Sequence, residues 1–182
     1  MTTYRNEQGL FHRLDGPAII HLDGSQDWWV NGARHRVDGP AFIGADGYRA
    51  WYINGKRHRT DGPALIYADG DLHWYFNGER HRTDGPAVIC VDGTTEWYLN
   101  GKLHRTDGPA RTTVRGQEWW VDGKRHRTDG PAVVWRSGEQ EWWIDGRRHL
   151  TDSPAIIYPD GTTEWRVKGK QVDQLTHMLL AT

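Results

Sequence analysis

Short apolar and aromatic runs of four to six residues alternate along this chain with turn-forming dipeptides. In residues 51–70, Trp51-Tyr52-Ile53 leads into Asn54-Gly55, and a polar stretch through Lys56, Arg57, His58, Arg59 and Thr60 follows. Next come Asp61-Gly62-Pro63, the apolar run Ala64-Leu65-Ile66-Tyr67, and Asp69-Gly70. Runs this short, bounded in this way, predict strands rather than helices. Asn-Gly and Asp-Gly favour the positive φ angles of a type I′ hairpin turn. Pro63 marks a third break, because it has no N–H to donate to a ladder. Side chains alternate across a pleated strand, so Trp51 and Ile53 share one face and Tyr52 takes the other. By the same rule Ala64 goes with Ile66, and Leu65 with Tyr67. The predicted core is the row of first tryptophans (Trp28, Trp51, Trp74, Trp97, Trp119, Trp142, Trp165) packed with the Ala and Ile positions. The second-aromatic row then lies on the reverse face.

The pattern repeats. His-Arg-x-Asp-Gly-Pro-Ala begins at His12, His35, His58, His81, His104 and His126, and a worn copy begins at His149. The intervals are 23, 23, 23, 23, 22 and 23 residues, the short one arising beside Gly116. Seven copies of one hairpin unit therefore span residues 1–169. A unit this short cannot bury its own apolar surface and needs neighbours, so the array needs capped ends. In residues 170–182, Val172, Leu175, Met178 and Leu179 recur at helical spacing, which predicts a short amphipathic capping helix. A parallel β-helix with one coil per repeat is the alternative fold.

The unit resembles the MORN (membrane occupation and recognition nexus) repeat, which is also 23 residues long and has a Trp-x-x-Gly-Lys core with a downstream Asp-Gly turn. Residues 51–56, Asp69-Gly70 and their equivalents across 5–169 carry the resemblance. Arg59 and Pro63 stand where family units carry glycines. The resemblance implies an all-β, elongated, twisted, single-layer antiparallel sheet of stacked hairpins. Variants with the His-Arg-x-Asp-Gly-Pro-Ala element resemble proteins of large phages and large DNA viruses. This implies a viral origin and no specific activity; if the chain is viral, an inhibitor of a host factor or defence complex is a natural version of a binding module.

Composition narrows the function classes. Only 36% of residues are hydrophobic, yet there are 11 Trp and 22 Gly. Disordered chains are poor in aromatics, so this balance indicates many tight turns between aromatic strands. A net charge of −1 implies no bulk attraction to nucleic acid or membrane. Cys90 is the single cysteine, which excludes an internal disulfide and a multi-thiolate metal site. Neither a signal-type apolar segment nor a membrane-length apolar run occurs, so the expected location is cytoplasmic, that of the host cell if the chain is viral.

Seven histidines in register invite a metal or acid–base reading. Equivalent residues two strands apart are separated by roughly 10 Å, however, too far to share one ion. An Asp at a turn can accept backbone N–H groups, so the ladder reads as scaffold. No catalytic motif or cofactor site is present, and repeated identical groups do not converge as a reaction requires. The expected protein is a non-enzyme without cofactors that binds a protein partner through residues varying between copies. The expected face comprises Trp29, Tyr52, Tyr67, Tyr75, Tyr98, Trp120, Trp135, Arg136 and Trp143, with Arg111 and Arg115 from the most deviant region. Two alternatives stand beside it. One is nucleic-acid or anionic-lipid binding through the Lys-Arg-His-Arg edge, where residues 101–150 carry a local net charge of +3 (ten Lys and Arg against seven Asp and Glu). The other is self-association into a scaffold dimer.

Overall fold

A computed structural model describes residues 1–149, 153–167 and 169–173. Its backbone divides into two compact units, Met1–Val91 and Asp92–Thr182. Each is all-β and single-layer, with no helix among the described residues. In the first, neighbouring strands follow the order Thr2–Thr3, Ile19–Ile20, Gln26–Asp27, Phe42–Ile43, Arg49–Ala50, Leu65–Ile66, Leu72–His73 and Val88–Ile89. In the second they run Thr95–Glu96, Arg111–Thr113, Gly116–Glu118, Val133–Trp135, Gln140–Glu141, Ile156–Ile157, Thr163–Val167 and Lys170–Val172. The ladders within each unit are antiparallel, which excludes the parallel β-helix. Of the segment expected to form a capping helix, Lys170–Val172 is a strand paired with Thr163–Val167. Residues 174–182 lie outside the described residues.

Each repeat also carries a small outer hairpin. Tyr52–Ile53 pairs with Lys56–Arg57, and Trp120–Val121 pairs with Lys124–Arg125. The junction falls at the first tryptophan of each copy. Its N–H leaves the outer hairpin and bonds the carbonyl of the alanine that ends the following His-Arg-x-Asp-Gly-Pro-Ala element, as Trp51 does to Ala64 at 2.8 Å. Successive outer hairpins are also bonded to one another: Gly55 N–H donates to the Arg34 carbonyl and Arg36 N–H to the Tyr52 carbonyl.

The two turn signals differ in kind. Asn31, Asn54, Asn77, Asn100, Asp122 and Asp145 have φ between 48° and 51°, and each is followed by a glycine with positive φ, the type I′ signature. At the second kind of turn, as in Asp23-Gly24, Asp46-Gly47 and Asp69-Gly70, only the glycine is left-handed. There the loop holds three residues, with Gly70 N–H bonding the Tyr67 carbonyl and Tyr67 N–H the Asp71 carbonyl. That is a type I turn closed by a left-handed glycine, in which the aspartate bonds the backbone two residues on instead of adopting positive φ. In the fifth copy the missing residue shortens this loop to Val114-Arg115, and Thr113 pairs with Gly116. A Cβ at Gly116 would collide with the Val134 carbonyl oxygen, so only glycine fits there.

The burial pattern corrects the expected core. Ala64 and Leu65 are both fully buried, Ile66 and Trp51 only partly. Tyr75, from the second-aromatic row, is buried with Ala50 and Leu65, and Tyr52, Tyr67, Phe42 and Tyr48 pack against them. The core thus keeps the expected alanines, with Trp51 against it, and adds residues of the face assigned to recognition. Parity failed because the strand breaks at Trp51 instead of running through it.

Candidate functional site

Across the buried face of each ladder runs one line of directly opposed residues. In the first unit it reads Ile19, Asp27, Phe42, Ala50, Leu65, His73, Val88. In the second it reads Glu96, Arg111, Glu118, Val133, Glu141, Ile156, Glu164. Polar members must be satisfied in such a place, since an unpaired buried carboxylate is costly. The outer hairpin supplies the partner seven residues on. Arg34 Nε donates to Asp27 at 2.7 Å, Arg125 Nη2 to Glu118 at 2.8 Å, and Arg148 Nε to Glu141 at 2.9 Å. Where Ala50 replaces the acid, Arg57 turns to the Tyr52 hydroxyl instead.

Arg111, expected to meet a partner, belongs to this line. The position seven residues after Glu96 is Leu103, so its outer hairpin brings no guanidinium. Arg111 stands opposite both Glu96 and Glu118 and supplies one. Its Nε lies 3.0 Å from Glu96 Oε1, ion-paired but poorly aligned for a hydrogen bond, and Nη1 lies 3.5 Å from Glu118 Oε1. Trp135 and Trp143, also expected binders, both donate indole N–H groups to Glu141, at 3.1 and 2.9 Å. Burial, the largest single influence, pushes the Glu141 carboxyl up. The Trp135, Arg148 and Trp143 contacts together outweigh it, and the net displacement is downward. Trp29, Tyr52, Tyr67, Tyr98 and Trp120 are half-buried, and Arg115 and Arg136 are exposed. The last two are joined through Arg136 N–H donating to the Arg115 carbonyl.

The His-Arg-x-Asp element builds the opposite side. Each arginine stacks over the first aromatic of its own copy: Arg36 over Trp28, Arg59 over Trp51, Arg127 over Trp119, all about 4 Å from the ring centre. Its Nε donates to the Asp two residues on, at 2.8 Å in Arg36–Asp38 and Arg59–Asp61, and Nη1 reaches the following proline carbonyl. The hydrogen bond from Arg59, then its charge, holds the Asp61 carboxyl below the ordinary range, and the other copies do the same. His12, His35, His58, His104 and His126 each clasp the turn of the next copy. His35 Nδ1 lies 2.8 Å from Asn54 Oδ1 and 3.1 Å from the Asn54 N–H. His104 and His126 make the same two approaches to Asp122 and Asp145, Nδ1 lying 3.0 Å from each Oδ1 and 3.2 and 3.3 Å from the backbone nitrogens.

Between successive elements lie clefts of one recurring design. The cleft between Arg36 and Asp61 is floored by Trp51 and walled by Ile53 and His58, with a volume of about 620 Å³. Its neighbours, floored by Trp28 and Trp74, hold about 650 and 520 Å³. In the second unit the cleft over Trp119 holds about 520 Å³. Sequence reasoning treated this element as scaffold and did not foresee the clefts. Their signal was the one position left open inside the motif (Leu14 and Val37, then threonine as in Thr60 and Thr83), which lines the rim. One further grouping, Asp71, His73 and Cys90, brings potential metal donors together.

No protein-family model matches the chain, and no curated protein matches it. No described helix is long and apolar enough to cross a membrane.

Proposed function

We propose that the chain is a non-enzymatic module that binds another protein as an extended polypeptide, one segment of it per cleft. The observation that carries this reading is the recurrence of the same tryptophan-floored cleft at one-repeat intervals. A periodic row suits a periodic ligand, and an extended backbone repeats its polar groups every two residues. Each cleft offers a guanidinium edge, an imidazole and an aspartate carboxylate beside an aromatic floor. That mixture meets backbone carbonyls and N–H groups alike. A polyphosphate backbone is disfavoured, because each arginine is already committed to an aspartate that is itself about four-fifths exposed and would repel it. The expected viral origin adds a host protein as the natural target of such a module.

The test is selection of binders from a random extended-peptide library on the full chain. Thr60→Trp and Thr83→Trp, which fill neighbouring clefts from the rim, should weaken selected peptides at least tenfold. Arg115→Ala should not. Binding indifferent to the filled clefts would overturn the proposal. A steep loss of affinity with salt, with competition by single-stranded nucleic acid or anionic vesicles, would instead favour the Lys-Arg-His-Arg edge as the working surface.

A further inference from the structure

The ladder that joins the third and fourth copies departs from its neighbours at three positions together. Residues equivalent to Asp71, His73 and Cys90 are Ser25, Asp27 and Gly44 one way along the array, and Thr94, Glu96 and Thr113 the other. The nearest full parallel, Tyr48, Ala50 and Tyr67, has no metal-binding donor of the nitrogen or sulfur kind. Only this ladder combines a carboxylate, an imidazole and a thiol.

The backbone sets them face to face. Leu72 pairs with Ile89 and His73 with Val88, so Asp71 stands opposite Cys90 on the adjoining strand. Asp71 and His73 are two residues apart and share a face by the pleat. Their ligand atoms and the Cys90 sulfur all lie within 4.8 Å of one another. Zinc bonds of about 2.0–2.3 Å to oxygen, nitrogen and sulfur, at a tetrahedral angle, hold donors about 3.3–3.6 Å apart. Side-chain rotation needs to close a gap of about 1 Å, with no movement of the strands.

The surroundings restrain two of the three donors. Asp71 Oδ1 accepts the Val91 N–H at 2.9 Å, which fixes the carboxylate and leaves its second oxygen available in direction. The His73 ring meets Tyr67 edge-on at 4.9 Å between centres, which fixes the imidazole plane. Outer contacts of this kind orient ligands and raise metal affinity. His73 is buried, whereas Asp71 and Cys90 are half-buried, so solvent reaches a fourth position.

We infer that Asp71, His73 and Cys90 form a mononuclear site for a borderline-soft divalent transition ion of the zinc type, tying strand Leu72–His73 to strand Val88–Ile89. One carboxylate and one thiolate neutralise the ion's two charges, and loading releases the thiol proton. The mixed oxygen, nitrogen and sulfur set favours zinc or cobalt over magnesium or calcium, which take oxygen donors.

The test uses the full chain, kept reduced and stripped with a chelator, then titrated with cobalt(II). One equivalent should bind and produce the near-ultraviolet thiolate-to-cobalt absorption with the visible bands of a four-coordinate ion, and zinc should displace it. Cys90→Tyr introduces the residue that two other copies carry at this position, so the variant should fold. Cys90→Ser provides the same readout with a smaller side chain. Both should abolish the near-ultraviolet band and weaken cobalt binding about 100-fold, and Asp71→Asn should weaken it about tenfold. Zinc should raise the melting temperature of the parent chain and leave that of Cys90→Tyr unmoved. A parent chain that takes up no cobalt, or a Cys90→Tyr chain that binds it as well, would overturn the site.

Discussion

Replacing Arg111 by valine, the residue found at this position in two other copies, removes the guanidinium that Glu96 shares with Glu118. Glu118 keeps Arg125, with bonds of 3.0 and 2.8 Å, so on its side the loss is small. The Glu96 side chain is 14% exposed and that of Arg111 42%. Breaking a fully buried pair costs about 3–5 kcal/mol, while a surface pair is worth about 0–1 kcal/mol. The exposure of Arg111 places this pair between those limits, at about 1–3 kcal/mol. The stronger claim concerns rescue. Leu103→Arg restores the arginine that other copies carry seven residues after the buried position, and from there it can reach Glu96 as Arg34 reaches Asp27. In the parent chain Leu103→Arg should change little or destabilise slightly, because Arg111 already occupies the carboxylate. In the Arg111→Val background it should recover about 1 kcal/mol or more, a coupling measurable by a double-mutant cycle. Repeat arrays need not unfold in one step, so amide exchange of Thr95–Glu96 and Arg111–Thr113 should accompany the melting curves. If Leu103→Arg has the same effect in both backgrounds, the two positions are uncoupled and the exchange of arginine between them is not compensation.

Two further outcomes follow from the geometry. At Asn54, where φ is 49°, Asn54→Ala should cost about 1–2 kcal/mol for the left-handed backbone and more for losing the His35 clasp, whereas Asn54→Asp should be tolerated as in two other copies; urea unfolding distinguishes these, and equal stabilities would refute the clasp. The Asp15, Asp38, Asp61, Asp84, Asp107 and Asp129 carboxyls all sit below the ordinary value of 3.8, held there first by their arginine hydrogen bonds. A folded pKa below the unfolded one contributes stability that is fully present above the unfolded value and lost as pH falls through the folded one, so the melting temperature should hold to about pH 4 and decline below it; one that stays flat to pH 2 would contradict the ion pairs.

The seven-fold unit, its strands and its Asn-Gly hairpins were legible because each rests on local rules of spacing and turn chemistry. The faces were not. Alternation was followed through Trp51, but the ladder ends there and an outer hairpin begins, so parity did not carry from Ala50 to Tyr52. The Asp-Gly turn was misjudged because a three-residue loop lets the aspartate keep negative φ. The acidic line was open to view at Asp27, Glu96, Glu118, Glu141 and Glu164, each at one phase of the repeat, but its burial became evident only with the register. Arg111 looked like a free variable residue for the same reason: its reason for varying is Leu103, eight residues upstream in sequence and on a different hairpin. The Asp71, His73 and Cys90 grouping needed the pairing of Leu72 with Ile89, which no single strand encodes.

The histidine clasp has a consequence for how such a chain changes length. His12 holds Asn31, His35 holds Asn54, His58 holds Asn77, and His126 holds Asp145, so each bond reaches from one copy only to the next. Excising one whole copy between two such bonds rejoins these histidines to an equivalent turn, and duplicating a copy does the same. Recombination between neighbouring repeats in the gene would therefore yield foldable products at once, with the number of clefts as the inherited variable.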